Sequence, residues 1–311
     1  MIRSISVINE YGDGLTISME RPQDSGFQIL GIDGITPVKA TVNTTPFSGS
    51  DGTVFNSAQL GERNIVLTLG FLENPDIETT RQLSYKYFPI KRPITFLIET
   101  DNRSLFIQGY VESNAPNVFS AEQTTQISII CTDPYFYSLT GDGTTVTMFS
   151  GVAEEFTFPF SNDGVATKSI EFGQVSVIQT MVVPYEGDGE IGMLFHIFVM
   201  TGGTNMESLT IWNTQTLETI VINLARLRTD PYWTHTLPGD EIVISTVKGN
   251  KFVKWIRAGV ETSLLSAWTH GNVWHTLHKG TNVFAYSYVV DPQVVGAAQF
   301  SIENQIIYEG V

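Results

Sequence analysis

Cysteine is almost absent from this chain, since Cys131 is the only one in 311 residues. A single thiol can form neither an intrachain disulfide framework nor a zinc site built on cysteines. Cys131 ends a segment of alternating apolar residues, where a small buried thiol is the usual finding. We therefore expect Cys131 to be a buried structural residue and not a nucleophile.

Basic residues are also scarce, with 17 Lys and Arg against 32 Asp and Glu, which gives a net charge of −15. A field of this sign repels phosphate groups, so the sequence predicts no stable binding of nucleic acid or of an anionic membrane. Charged residues of both signs make up only 16% of the chain. A surface with so few charges is either rich in uncharged polar groups or covered by partners.

Long apolar runs are missing as well. No stretch of the sequence reaches the length of a membrane span, and the first residues, MIRSIS, lack the apolar core of a secretory signal. We therefore expect a protein without a signal peptide that is made and folded in a cytoplasm.

What the sequence does contain is apolar residues at every second position, which is the pattern of half-buried β-strands. In the first half this pattern covers 65–71, 94–99, 105–111 and 127–131. In the second half the predicted strands are 156–160, 192–200, 208–213, 219–224, 241–246, 252–257, 273–277, 282–289 and 299–308. Segment 192–200 is apolar almost throughout, as expected for a central strand buried on both faces. The spacing of the strands predicts an all-β protein, built as a sandwich or a barrel.

One helix is the exception to this pattern. Asn74 is a candidate N-cap, Pro75 fits the first helical position, and a helix is predicted from Pro75 to Phe88. Its side chains at spacings of three and four predict one face packed on a sheet. The residues of that face are Ile77, Thr80, Leu83 and Tyr87.

A change of composition divides the chain into two domains. Residues 138–151 are rich in Ser, Thr and Gly, which is typical of a linker. The sequence therefore predicts a first domain at 1–137, a linker at 138–151 and a second domain, a β-sandwich, at 152–311. We find no internal repeat between the two halves.

One segment matches the residue pattern of a nucleotide-binding motif but lacks the helix that the motif requires. Residues 187–192, GDGEIG, match G-x-G-x-x-G, but the phosphate-binding mechanism requires a helix to follow, and a strand pattern follows instead. A hairpin-type turn is the better interpretation. No cofactor is expected.

The histidines and carboxylates do not form a predicted active site or metal site. His275 and His278 are predicted on opposite faces of a strand, and His270 in a turn, so we expect no metal site there. His196 is interpreted as a core histidine. Adjacent Glu154 and Glu155 point in opposite directions on a strand and cannot act as an acid and base pair. The sequence therefore predicts that the chain is not an enzyme, with no catalytic residues.

Several segments together resemble the distal tail protein family of long-tailed (siphovirus-type) bacteriophages. They are the turn GSDGTV at 49–54 followed by Arg63, the helix ending in YFP at 87–89, GYVE at 109–112 and ISIICTDPYFY at 127–137. The second half adds PGDEIVIST at 238–246, GNKFV at 249–253, KGTNV at 279–283 and YEGV at 308–311. The first 45 residues contain little that is diagnostic.

The resemblance implies a structural component of the virion. Its first domain would be a β-sandwich-like hub domain in a closed ring, expected to hold six copies at the distal end of the tail tube. Its second domain would be a galectin-like β-sandwich. The implied partners are further copies of the chain, the tail tube protein, a tail-associated or tip protein, and receptor-binding or baseplate proteins. Acidic groups in the ring's lumen would let DNA pass without binding.

The resemblance also indicates which residues would join neighbouring copies. The turn at Gly49–Gly52 predicts a hairpin with apolar residues at its base, which can pair edge-to-edge with another chain. The candidate residues of this hairpin are Phe47, Asp51, Gly52, Val54 and Phe55. The candidate hub surface on the helix comprises Ile77, Leu83 and Tyr87.

Three alternatives stay open at this point: a lectin-like tail module that aids adsorption, a tail-borne glycosidase or peptidase, and a different ring protein of a phage tail or of a tail-like secretion system. The galectin set His-x-Asn-x-Arg is not found, and Trp212, Trp268 and Trp274 lack a glutamate partner at suitable spacing. We therefore predict no galectin-type sugar binding.

Overall fold

The structure is a computed structural model that describes residues 1–117, 119–120, 123–139, 144–148, 152–153, 174–175, 179–200, 205–229, 236–291 and 298–311. Contacts divide the chain into a first unit, residues 1–144 with 307–311, and a second unit, residues 145–306. The sequence-based division gave residues 307–311 to the second domain, whereas they contact the first unit.

The first unit begins with strands β1 (Ile2–Asn9) and β2 (Gly14–Ser18), helix α1 (Pro22–Ser25), and strands β3 (Phe27–Asp33), β4 (Ala40–Pro46), β5 (Thr53–Leu60) and β6 (Arg63–Phe71). It continues with helix α2 (Ile77–Tyr87) and strands β7 (Pro93–Thr100), β8 (Ser104–Pro116), β9 (Thr124–Cys131) and β10 (Phe136–Ser138).

The second unit contains strands β11 (Thr144–Met148), β12 (Val152–Ala153), β13 (Gln174–Val175), β14 (Gln179–Tyr185), β15 (Leu194–Val199), β16 (Asn205–Asn213) and β17 (Thr219–Asn223). These are followed by β18 (Glu241–Ser245), β19 (Phe252–Arg257), β20 (Val260–Ser263), β21 (Gly280–Asp291) and β22 (Ala298–Gln305), with short 3₁₀ turns at Leu224–Thr229 and Leu265–Ala267. The last strand, β23 (Ile307–Tyr308), belongs to the first unit.

The first unit is built on an antiparallel sheet with the strand order β2-β1-β7-β8-β9-β6-β3. Strand β8 pairs with β7 through residues 104–110 and with β9 through residues 110–116, and a β-bulge lies between Val111 and Ser113. A bulge bends its strand, so one long strand joins the two parts of the sheet around the core. Short strand β10 pairs with both β8 and β23.

The predicted alternation in this unit is confirmed. Alternate residues of β6, β7, β8 and β9 are buried around one continuous core over 65–71, 94–98, 105–111 and 127–131. Ile65, Leu67 and Leu69 on β6 have no exposed surface, and Ile129 on β9 has none either. Burying these side chains contributes roughly 1.5–3 kcal/mol each.

Helix α2 is present, but it begins two residues later than the sequence predicts. Its N-cap is Asp76, whose carboxylate accepts a hydrogen bond from the Thr79 backbone N–H at 2.8 Å. The prediction that Asn74 is the cap is wrong, because the chain is still extended at Asp76 and becomes helical only from Ile77. The predicted inner face is confirmed, since Ile77, Leu83 and Tyr87 pack against the core and Thr80 is fully buried.

A second helix, α1, corrects the expectation of a single helix. It spans only Pro22–Ser25 and ends at Gly26, whose backbone lies in the left-handed region with φ 78°. Four residues are too few to show the period of a helix, and so the sequence pattern did not reveal it.

The second unit is a sandwich of two antiparallel sheets, as predicted. Its larger sheet has the order β11-β22-β15-β18-β19-β20 and its smaller sheet the order β14-β21-β16-β17, with a separate β12-β13 pair. Phe195 of the larger sheet packs edge-on against Phe284 of the smaller sheet with ring centroids 5.7 Å apart. Tyr286 of the smaller sheet and Phe300 of the larger sheet instead stack face to face across the core.

Three strand predictions for this unit need correction or lie outside the described residues. Residues 273–277 are not a strand: His275 and Leu277 are buried alternately, but the segment forms only an isolated bridge at Leu277. Strand β15 is buried on one face only, where Phe195 and Ile197 lie. Segment 156–160, like Glu154 and Glu155, falls outside the described residues.

The G-x-G-x-x-G segment is followed by a strand, as predicted, but the turn is not a hairpin. It connects β14 to β15, which belong to different sheets. Gly192 is required by packing, since an added Cβ would lie 2.4 Å from the Thr246 carbonyl oxygen. Gly192 therefore allows the close approach of two backbone segments.

Candidate assembly site

Strands β4 and β5 form an arm, residues 40–60, that pairs with no other strand among the described residues. Every residue of the two strands is exposed except Leu60, which is half-buried. Both long edges of this two-stranded ribbon therefore present backbone N–H and C=O groups that another strand could pair with.

The arm combines this exposure with an unusually apolar and uncharged composition. Asp51 is its only charged residue. Phe47, Val54 and Phe55 are 51%, 45% and 63% exposed. Large apolar side chains exposed together on one short element mark a contact surface for another molecule.

The sequence placed these apolar residues at the base of the hairpin, and the structure corrects this. The strands begin to pair at Ala40 with Leu60 and end at Pro46 with Thr53. Phe47, Val54 and Phe55 are therefore next to the turn, at the tip. The prediction failed because the sequence pattern showed the turn but not the length of the strands before it.

The register of the arm gives it one apolar face and one polar face near its root. Residues that pair across an antiparallel ribbon share a face, and alternate residues along a strand share a face. One face carries Ala40, Val42, Ala58 and Leu60, continued by Thr44 with its partner Phe55. The opposite face carries Thr41, Asn43, Ser57 and Gln59. The apolar face has no covering element among the described residues.

The turn of the arm depends on glycine. Gly49 and Gly52 have φ values of 82° and 106°, in the left-handed region that other residues rarely adopt. The Phe47 backbone N–H donates to the Gly52 carbonyl at 3.3 Å and closes the turn. Gly49 and Gly52 thus shape the tip of the arm, at the turn that the sequence predicts.

The root of the arm is fixed by Arg63, which is only 1% exposed. Its guanidinium donates hydrogen bonds to the carbonyls of Thr36 and Pro134, both at 2.7 Å, and to those of Gly34 and Glu309. The same group lies 4.6 Å from the centre of the Phe136 ring. Burial lowers the pKa of Arg63 from its ordinary value. One side chain therefore joins the segments that enter and leave the arm.

Gly34 lets the entering segment lie on β6. Its φ is 82°, and an added Cβ would lie 2.0 Å from the Asn64 carbonyl oxygen. The sequence shows Arg63 only as a residue that follows the turn, and it gives no sign of these contacts. Its partners are backbone carbonyls far along the chain, which leave no pattern in the side chains.

The predicted hub face of α2 faces inward. Ile77, Leu83 and Tyr87 pack on the core of their own unit. The outer side of the helix instead presents Arg81 and Tyr85, where Arg81 donates to the Tyr85 hydroxyl at 2.9 Å and Tyr85 is 42% exposed. A contact from α2 to another chain would use this outer side.

The residues considered for catalysis or metal binding do not come together. His275 is fully buried, and His270 and His278 are exposed, with His278 Nδ1 at 3.1 Å from Glu190. Within the described part of the chain, no group of three or more His, Cys, Asp or Glu side chains is placed to hold a metal ion. Burial raises the pKa of the Cys131 thiol to about 12, so this group is a poor nucleophile.

His196 was interpreted as a core histidine, and the structure corrects this. It is half-buried on the side of β15 that faces away from the core. Its Nδ1 lies 2.5 Å from Glu241 and its Nε2 lies 3.3 Å from Glu303, on the two neighbouring strands. The apolar neighbours in sequence made the strand look buried on both faces.

The whole chain is similar in structure to a known phage protein. The crystal structure of SPP1 Dit (gp 19.1), called a paradigm of hub adsorption apparatus in Gram-positive infecting phages, matches with a TM-score of 0.62 at 11% sequence identity. The match covers 97% of this chain and 98% of that chain. This chain has the fold of SPP1 Dit. The likeness to SPP1 Dit confirms the predicted all-β fold class and the predicted resemblance to phage tail hub proteins.

Two further structures cover 98% of this chain and 99% of theirs at 11% identity. They are the phage P2 baseplate in its activated conformation with Ca and with Sr, at TM-scores of 0.46 and 0.47. No protein-family model matches the sequence. No curated protein matches it either. Among the described residues, none of the helices has the length and apolar character needed to cross a bilayer.

Proposed function

We propose that this chain is a structural protein of a phage tail, in which copies of it form a closed ring at the distal end of the tail tube. The observation that carries this proposal is the arm, which leaves an apolar face and two strand edges exposed in the single chain. The fold shared with SPP1 Dit supports a tail hub over the other ring proteins considered.

The arm's apolar face is costly to leave in water. Covering a Val or Phe side chain contributes roughly 1.5–3 kcal/mol, and Val42 and Phe55 are both more than half exposed. Backbone pairing along either edge of the arm would add hydrogen bonds to this apolar contact. A neighbouring copy is the partner that would always be available in equal number.

In a closed ring the arm of one copy would contact a different part of the next copy, so the contact would be heterologous. Heterologous contacts build a ring when the rotation between neighbours closes, and six copies are the number that the family resemblance implies. The ring would contact the tail tube protein on one side and a tail-associated or tip protein on the other. The second unit would hold receptor-binding or baseplate proteins.

The net charge of −15 fits a ring whose lumen is acidic. DNA leaving through such a lumen would find no basic groups to replace its counterions, and would pass without binding. A ring structure with a basic or neutral lumen would contradict this part of the proposal.

The test is the mass and shape of the purified chain by light scattering and negative-stain imaging. We expect six-fold rings with a mass near six times the 34.4 kDa of one chain. Val42→Asp combined with Phe55→Asp should leave smaller species, because both changes place a charge on the apolar face. Thr41→Asp, on the polar face of the same arm, is the matched control and should still form rings.

A chain that stays monomeric at high concentration, both alone and mixed with the tail tube protein, would refute the ring. Rings that form equally well with the two aspartates on the apolar face would refute the role of the arm. Activity on purified cell wall would contradict a purely structural role.

A further inference from the structure

The second unit carries two tryptophans stacked on each other at its surface. The ring centroids of Trp268 and Trp274 are 4.1 Å apart, and their planes are within 20° of parallel. Both are half-buried, in contrast to Trp255, which is only 6% exposed in the core. Part of the stacked pair is therefore open to solvent.

The turn between the two tryptophans is held firmly against strand β17. The Asn272 side chain makes two hydrogen bonds to the main chain of Val221, accepting at 3.0 Å and donating at 2.8 Å. The backbone N–H groups of Thr269 and Val273 donate to the carbonyls of Val221 and Thr219. The two indoles are thus positioned before any ligand arrives, which lowers the entropy cost of binding.

Two cationic side chains lie next to the two tryptophans. The Lys251 ammonium lies 5.6 Å from the centre of the Trp274 ring, and Arg226 donates to the Trp268 carbonyl at 3.4 Å. Both side chains are exposed.

These two cations differ from three other cations of the second unit. Lys254, Arg257 and Lys279 each pair with a carboxylate. Lys251 and Arg226 have no carboxylate within ion-pair distance among the side chains that the structure describes. In a chain of net charge −15, cations left without a carboxylate beside half-buried aromatic rings indicate a site for an anionic group.

We propose that Trp268, Trp274, Lys251 and Arg226 form a binding site for an acidic saccharide. The apolar C–H face of a sugar ring packs on the open part of the indole pair, and the sugar's acidic group pairs with Lys251 and Arg226. This site shares no residue pattern with the galectin set that the sequence lacks, and it does not depend on the proposed ring.

The dimensions of the site favour a saccharide over a protein partner. Two half-buried indoles and two side-chain cations offer far less than the roughly 1,000 Å² that a specific protein interface needs. The open parts of two indoles with charged groups beside them fit one or two sugar units. A purely apolar ligand would leave both cations without a partner.

The experiment is calorimetric titration of the full chain with tri-galacturonate, with neutral galactotriose and sodium sulfate as comparison ligands. We expect tri-galacturonate to bind about tenfold more tightly than galactotriose, since each exposed charge pair contributes a few-fold in affinity. Sulfate should bind more weakly than the acidic sugar, because it has no apolar face for the indoles.

Variants assign the binding to this site. Lys251→Gln combined with Arg226→Gln should lower the affinity for tri-galacturonate by about tenfold and leave folding intact, since both side chains are exposed. Trp274→Ala should abolish binding, with its thermal unfolding measured to confirm that it folds. Lys248→Gln is the matched control, an exposed lysine in the same β18–β19 turn, and should change the affinity by less than about twofold.

Equal affinity for the neutral and acidic sugars would overturn the proposal, and so would unchanged binding in the variant that lacks both cations. Sulfate binding as tightly as tri-galacturonate would show an anion site without a saccharide, and would also overturn it. If tri-galacturonate at millimolar concentration does not bind the folded chain, the proposal is likewise overturned.

Discussion

The guanidinium of Arg63 donates a hydrogen bond to the carbonyl of Glu309, 246 positions further along the chain. The same group holds the carbonyls of Gly34, Thr36 and Pro134. The first unit therefore gathers three separate chain segments on one planar side chain at the root of the arm. A lysine ammonium could not reach these carbonyls at the same angles.

Replacement of Arg63 should destabilise the first unit. We expect Arg63→Lys to lower its free energy of unfolding by about 3 kcal/mol, because a buried cation would lose several hydrogen bonds at once. Chemical denaturation followed by circular dichroism measures this. Arg103→Lys, an exposed arginine that lies over the Tyr308 ring at 4.2 Å, is the control. A loss no larger than that of the control would contradict the assigned role.

Gly34 should tolerate no side chain. Gly34→Ala would place a Cβ against the Asn64 carbonyl and force a positive φ on an alanine, and we expect a loss of about 2–4 kcal/mol. Gly61→Ala is the matched control at the other end of the arm, since nothing lies within 4 Å of its added Cβ. The denaturation midpoint of Gly34→Ala should be lower than that of Gly61→Ala, and equal midpoints would refute the prediction.

His275 should make the second unit sensitive to acid. Burial lowers the pKa of His275 below its ordinary value of 6.5, against a smaller opposing effect of Glu218. The unfolded chain then binds the proton more readily than the folded chain, so stability falls as the pH drops below about 6.5. Thermal unfolding between about pH 7.5 and pH 5 measures this fall.

Two variants isolate the contribution of His275. His275→Phe, placed beside Phe195 and Phe284, should reduce the dependence of the unfolding temperature on pH. His270→Gln, at an exposed position, should leave it unchanged. The same pH dependence in all three proteins would assign the effect to other groups.

Cys131 should be inert in the folded protein. Its side chain is fully buried and burial raises the pKa of its thiol to about 12, so almost no thiolate exists at neutral pH. We expect no labelling by iodoacetamide at about pH 8 until denaturant is added, when one thiol per chain should react. Mass spectrometry of the intact chain measures this, and rapid labelling without denaturant would contradict it.

Local patterns explain what the sequence could predict. The alternation in 65–71 and 127–131 indicates strands because every second side chain of a strand points to the same face, and here that face is buried. Helix α2 was found from the spacing of Ile77, Leu83 and Tyr87, while its start was misplaced because Asn74 and Asp76 are equally good capping residues. Only the backbone around Pro75 distinguishes them.

Long-range contacts explain what the sequence could not predict. The pairing of β10 with β23, and the carbonyls that Arg63 holds, join residues from opposite ends of the chain without any shared side-chain pattern. The stacked pair of Trp268 and Trp274 was missed for a related reason. Tryptophans in a β-sandwich are more often core residues, and their exposure depends on the turn that Asn272 fixes to β17.

The return of β23 to the first unit has a consequence for synthesis on the ribosome. Residues 307–311 emerge only after the whole second unit has been translated, yet they supply the Glu309 carbonyl that Arg63 holds at the root of the arm. The first unit of a nascent chain therefore stays incomplete while the second is being made. A chain released early by the ribosome would lack this carbonyl and would have a weakened root to its arm.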